Sequence, residues 1–315
     1  MQQLFNSSSL KSFFIKLACF FTLVFLVDFS IGSILKKYYF KQKAGLDYET
    51  TYAMDKTEAD ILILGSSRAS NLFDPEIFEQ HFNMSCYNAG RYGLPLFYHY
   101  AVFKAALKRH TPKIVLLSFD AGNFNKKKEA YDKLNILLPY YNYHPEIRPM
   151  ADLRSRYEKI KMLSAMYPFN SLLFSIITGN SASAKTKDIA FKGYIPISEV
   201  MKGPLILTDY TKDRELDTVK INTYKAFIQD CIKLKIKLYI VCPPYKINAI
   251  GNDASIAAAK EIAQQYNIDF LDHTFDTTYT SRMELFYDFR HLNITGVKLF
   301  CNDIIAEIYS KKDNQ

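Results

Sequence analysis

Ser67 and the pair Asp288 and His291 carry the residue types needed to move an acyl group. Ser67 follows an apolar run, Ile-Leu-Ile-Leu over residues 61–64, and the turn residue Gly65. Such a run reads as a buried strand that glycine ends. A serine placed there lies at the carboxyl edge of a sheet, where open α/β folds bind their ligands. A serine hydroxyl becomes a useful nucleophile when a histidine takes its proton and a carboxylate orients that histidine. Asp288-Phe-Arg-His291 supplies both partners, and the short spacing requires them to share one turn.

The elements that would position these groups alternate. Strands are expected at residues 61–64, 85–88, 113–119, 237–242 and 268–271. Helices are expected at residues 74–82, opened by Asp74-Pro75, and at 95–108, 217–234, 255–266 and 295–309. Strands alternating with helices predict an α/β domain, a three-layer parallel sheet flanked by helices. Residues 124–215 break the pattern with tyrosine- and proline-rich text, then a polar Ser/Ala/Lys stretch near residue 183. This reads as a partly helical insertion or lid, mobile around that stretch. Residues 38–56 read as a polar, aromatic linker or packing arm.

Composition narrows the function. The 315 residues are 49% hydrophobic and carry a formal charge of +8. Residues 1–43 hold six lysines and one acid, Asp28, so +5 of that charge sits in the first segment. Those lysines flank an almost wholly apolar run, residues 17–35. About 20 such residues cross a bilayer. Lysines beside an apolar run suit lipid headgroups rather than nucleic acid. No cleavage site follows the run, so an uncleaved transmembrane anchor over residues 1–43 is expected, with a domain at 44–315. Asp28 is out of place inside a span, unless it pairs with another element. The lysine count taken alone slightly favours a cytoplasmic main domain. Five cysteines show neither metal-ligand nor disulfide spacing, and no glycine loop for phosphate is present.

Three segments together resemble the blocks of the SGNH/GDSL hydrolase superfamily. They are Gly65-Ser66-Ser67, Asn88-Ala-Gly90-Arg-Tyr-Gly93 and Asp288-Phe-Arg-His291, each at a strand end or before the last helix. The anchored form with an insertion is similar to the DltD-like and polysaccharide-acetylation branch. The resemblance implies an SGNH-like, flavodoxin-like fold, with Ser67 as nucleophile, His291 as base and Asp288 as its orienting carboxylate. It implies an oxyanion hole from the N–H groups of Ser67 and Gly93. Arg68 and Asn88 are the expected substrate-binding residues. The family's third block usually reads Gly-x-Asn-Asp; here Ser118-Phe-Asp120-Ala-Gly-Asn123 stands in its place. An ionised Asp120 cannot donate to an oxyanion, so Asn123 becomes the third candidate donor.

The expected activity is hydrolysis or transfer of an acetyl or other acyl group on a cell-envelope polysaccharide, without cofactor or metal. The resemblance also sets the domain outside the cytoplasm. The alternatives are an inactive binding or assembly subunit beside a membrane acyltransferase, and a lipid esterase. The bland readings are helix caps: Ser66 and Ser67 for the helix after the strand, Asp288 and His291 for the one near residue 295. The tyrosines at 140, 141 and 143 suit either sugar stacking or the wall of the insertion.

Overall fold

The computed structural model describes residues 7–181, 192–202, 215–246 and 253–313. Five strands form one all-parallel sheet: β1 (Ile61–Leu64), β2 (Cys86–Asn88), β3 (Ile114–Ser118), β4 (Lys237–Cys242) and β5 (Asp269–Asp272). Their spatial order is β2-β1-β3-β4-β5. The chain leaves β1 for one neighbour and returns to the other, so the carboxyl end of β1 is a switch point where a crevice opens. Strands β1 and β3 are buried at every position, as expected of a parallel sheet covered on both faces.

Alternate strand residues feed two cores. Leu62, Leu64, Val115 and Leu117 face one, and Ile61, Ile63, Ile114 and Leu116 face the other. The first core is closed by α5 (Leu96–Ala106), α10 (Thr218–Lys233) and α11 (Ala254–Gln265). The second is closed by α3 (Ser67–Leu72), α4 (Pro75–Phe82) and, after the short α12 (Thr277–Thr280), by α13 (Ile294–Asp313). Side-chain caps mark the starts: Asp74 accepts from Glu76 N, Asp217 from Val219 N and Asp253 from Ile256 N. These five strands and the larger helices lie within a few residues of their sequence-based positions.

Helix α1 (Ser7–Lys41) is one long apolar rod, and it is long and apolar enough to cross a membrane. The segment expected to be a linker or packing arm packs on the body, and it is helical: the end of α1 is followed by α2 (Leu46–Asp55), whose Asp47, Thr50, Thr51, Ala53 and Met54 are buried. Its inner face looks polar in sequence because hydroxyls there are paired. Thr50 Oγ1 lies 2.8 Å from Tyr98 Oη, and Thr51 Oγ1 lies 2.6 Å from Tyr140 Oη.

The insertion begins and ends at one point. Asn125 and Leu216 form an antiparallel bridge, and Lys126 N donates to Glu215 O. Between them lie α6 (Lys128–Asp132), a 3-10 helix (Lys133–Tyr140), α7 (Arg148–Ala151), α8 (Glu158–Lys161) and α9 (Leu173–Gly179). Leu134, Leu137, Tyr140, Ile147, Phe169 and Ile176 join the first core, so this part of the insertion is packed rather than a detached lid. Tyr140 and Tyr141 are buried and bonded within the protein, which removes them as sugar platforms. The stretch around residue 183 lies outside the described residues.

Candidate active site

The turn after β1 is built for close approach. Gly65 has φ of +143°, and a Cβ there would sit 2.7 Å from Ser118 Cβ on the neighbouring strand. The next residue, Ser66, caps α3 by accepting from Arg68 N at 3.2 Å, while its own hydroxyl donates to Asp120. Ser66, not Ser67, therefore takes the capping role. Ser67 is left at the first helical position, half-buried, with a backbone N–H that has no acceptor within the helix.

Ser67 Oγ lies 3.0 Å from His291 Nε2. On the far side of the ring, His291 Nδ1 lies 2.9 Å from Asp288 Oδ2 and 3.0 Å from Oδ1. A tight turn makes the short Asp–His spacing workable: Phe286 and Leu292 bridge its base, and Tyr287 N donates to His291 O. Asp288 Oδ1 also accepts from the backbone N–H groups of Arg290 and His291, at 2.7 and 2.8 Å. Burial pushes the Asp288 carboxyl up, but the bonds from the His291 ring and these two backbone groups outweigh it. The net effect holds Asp288 below its ordinary range. An ionised carboxylate on Nδ1 fixes the tautomer with its proton there, leaving Nε2 free to accept from Ser67. The helix α13 is capped by Asn293, whose side chain accepts from Gly296 N, so neither Asp288 nor His291 is needed for that task.

Two expected substrate contacts are corrected. Arg68 is fully buried and serves as an internal hub. Its guanidinium pairs with Asp120 at 3.4 Å, donates to Pro244 O at 2.8 Å and to Arg290 O at 3.1 Å, and stacks 3.6 Å from the Tyr245 ring centroid. One side chain thus ties the turn bearing Ser67 to the β3 loop, the β4 loop and the turn bearing His291. Asn88 is buried too, donating to Ala69 O and Phe73 O and accepting from Gly90 N. It braces the backbone around α3 and has no face left for substrate.

The oxyanion candidates separate. The N–H groups of Ala89, Gly90 and Arg91 are engaged by Ile63 O, Asn88 Oδ1 and Gly65 O, which leaves Tyr92 and Gly93 at the loop tip. Gly93 has φ of +67° and lines a groove of about 690 Å³ with Asp47, Arg91 and Lys133. The bond from Arg91 N to Gly65 O holds this loop beside the turn bearing Ser67. Asn123 sits one turn beyond Asp120, its N–H bonded to Asp120 O, and its side chain is bonded to none of the three candidate catalytic residues.

No protein-family model matches the chain, and no curated protein matches its sequence. Among the described residues no group of three His, Cys, Asp or Glu side chains is placed to hold a metal ion. The second acid–histidine neighbour in the sequence, Asp272-His273, is not a working pair. His273 instead lies between Asp276 at 3.0 Å and Glu307 at 3.2 Å, with no serine on its ring.

Sequence reasoning missed the Ser66–Asp120–Arg68–Tyr245 network. Its signal was present in Pro243-Pro244-Tyr245 directly after β4 and in the arginine following the nucleophile. Nothing in their spacing indicates that the Arg68 guanidinium folds inward.

Proposed function

We propose that this chain is a membrane-anchored serine esterase or O-acyltransferase of SGNH type, working through a serine acyl-enzyme. The single observation that carries the reading is the relay from Ser67 through His291 to Asp288, with both hydrogen-bond distances near 3 Å. Ser67 donates its proton to His291 Nε2 as its oxygen attacks the ester carbonyl. Asp288 stabilises the imidazolium that forms. His291 then returns the proton to the departing alcohol, and water or a sugar hydroxyl resolves the acyl-enzyme. The chemistry needs no cofactor. The N–H groups of Ser67 and Gly93 are the assigned oxyanion donors, since the Asp120 carboxylate is committed to Ser66 and Arg68.

The substrate class, an acylated polysaccharide of the cell envelope reached from an extracytoplasmic domain, rests on the resemblance of the three sequence blocks. A topology reporter fused after Gln315 reads that compartment directly, and a cytoplasmic signal would sink the polysaccharide assignment. The enzymatic reading is tested with p-nitrophenyl acetate and a fluorophosphonate probe on the full chain. Wild type should turn over the ester and label at Ser67. Ser67→Ala and His291→Ala should each lose about a thousandfold or more in rate, as expected when a triad member is removed. Equal rates in all three proteins would favour the assembly-subunit reading, in which Asp120 marks a site that has given up its third oxyanion donor.

A further inference from the structure

Helix α1 has two unlike halves. Residues 10–27 are exposed on every side, whereas from Asp28 onward one stripe is covered: Asp28, Gly32, Leu35, Tyr39 and Gln42. That spacing is a helix face docked on the body. The docking begins well inside the apolar run. At 1.5 Å per residue, Asp28 lies about 10 Å below Leu35, the end of that run. At Asp28 the partner is the loop after α8. Its carboxylate accepts from Ser164 Oγ at 2.5 Å, Ala165 N at 2.6 Å and Met166 N at 3.3 Å. Gly32 lets the two backbones touch, since a Cβ there would lie 2.4 Å from Ala165 C.

This loop therefore sits at the depth of the span, and its surface suits that position. Leu163 is 81% exposed and Ile160 65%, although both are large and apolar. Leu163 flanks a crevice of about 270 Å³ shared with Phe29, Gly32 and Lys36 of α1. Basic residues frame the same segment: Arg156 is exposed, as is Lys159, while the nearby Glu158 is buried and paired with Arg154 and Lys161. Irregular backbone at membrane depth is tolerated only where protein covers it, and along this loop α1 and local turns do so. Asp28 supplies the acceptor for two of its N–H groups. An otherwise costly carboxylate in a span acquires a purpose.

We propose that residues 160–166 are a second membrane contact, entering the bilayer along one side of α1. Ile160 and Leu163 lie among the acyl chains, and Arg156 and Lys159 meet anionic headgroups. The continuity of this surface with α1 selects lipid as its occupant. Amphipathic surface elements bury their apolar side about 5–10 Å into such an interface, which matches the depth of Asp28. The body would then be held in a fixed orientation on the membrane instead of swinging on a tether. The inference rests on α1 crossing the bilayer and is independent of the esterase reading.

The chain has no tryptophan, so a single one can report its surroundings. Full-length Leu163→Trp, Ile160→Trp, Phe21→Trp and Ala306→Trp would each be reconstituted into phosphatidylcholine–phosphatidylglycerol vesicles with brominated acyl chains. Phe21 lies in the span and Ala306 on the exposed face of α13. Tryptophan at 163 and at 160 should show blue-shifted emission quenched by bromine at shallow acyl positions, approaching the response at 21. Emission like that at 306, with 21 quenched, overturns the second contact while leaving the span intact. A blue shift without quenching also overturns it, because another protein surface or a second copy then covers the loop. Loss of quenching at 21 removes the span and the proposal together.

Discussion

At the level of single residues, the candidate site divides into the hydrogen-bonded Ser67–His291–Asp288 set and the groups that hold it in place. Ser67, His291 and Asp288 were legible because acyl chemistry needs these types, and each stands at the end of a recognisable element. Arg68 was not, because a charged residue after a nucleophile reads as a substrate contact until its burial is known. The structure encloses it between Asp120 and the Tyr245 ring, with Nε and Nη2 donating to backbone carbonyls. Removing one member of a buried ion pair leaves the other uncompensated, at a cost of about 3–5 kcal/mol. Asp120→Ala is therefore expected to lower the thermal unfolding midpoint markedly. The loss should accompany any fall in turnover, since Arg68 also tethers the turn carrying His291 through Arg290 O. An unchanged midpoint would mean that Arg68 draws its stabilisation from Tyr245 and the carbonyls alone.

Among the elements, the sheet and its larger helices were readable because parallel strands buried on both faces are continuous apolar runs and the helices carry cap residues. Helix α2 was missed for the converse reason: threonines and an aspartate occupy its inner face, each made acceptable by a partner distant in sequence. Helix α5 contains a comparable case with a measurable consequence. His99 is buried there, with Nε2 3.3 Å from Leu94 O and Nδ1 enclosed without a partner. Burial drives its pKa down, only partly offset by the bond to Leu94 O and the charge of Asp120, to about 4. A folded value below the unfolded one of about 6.5 means the unfolded chain binds the proton more readily. The associated stability is complete above about pH 6.5 and is lost as pH falls towards 4, by about 2 kcal/mol at pH 5. Thermal unfolding of wild type should thus fall more steeply between pH 7 and 5 than that of His99→Gln. His144, raised chiefly by its bond to Asp55, and His273, where burial pulls down but Glu307 and Asp276 together outweigh it, contribute in the opposite sense but are common to both proteins. Parallel pH profiles would show that His99 is not held neutral.

Across the whole molecule, a helix long and apolar enough to cross a membrane was evident from an apolar run with flanking lysines, while the way the body joins it was not. The sequence presents Asp28 only as a defect in a span. Its purpose depends on Ser164–Met166, more than a hundred positions away and inside an insertion that has no periodic pattern to place it. The joint combines these bonds with the Gly32–Ala165 approach, the Tyr39 ring against Tyr140 and Phe169, and a bond from Asn180 Nδ2 to Tyr38 O. A body fixed at several heights along one helix cannot rotate freely about it, so the direction in which Ser67 faces is set by α1. Asp28→Ala separates anchoring from fixing. The substitution makes α1 more apolar, so the chain should remain in the membrane fraction after alkaline extraction. It also strips the acceptor from Ala165 and Met166, so trypsin should cut the full-length protein faster at Lys159 and Lys161 than in wild type. Retention in the membrane with unaltered cleavage would mean that the aromatic and glycine contacts hold the loop by themselves. Loss from the membrane would instead make the docked face, rather than the exposed apolar half of α1, the source of anchoring.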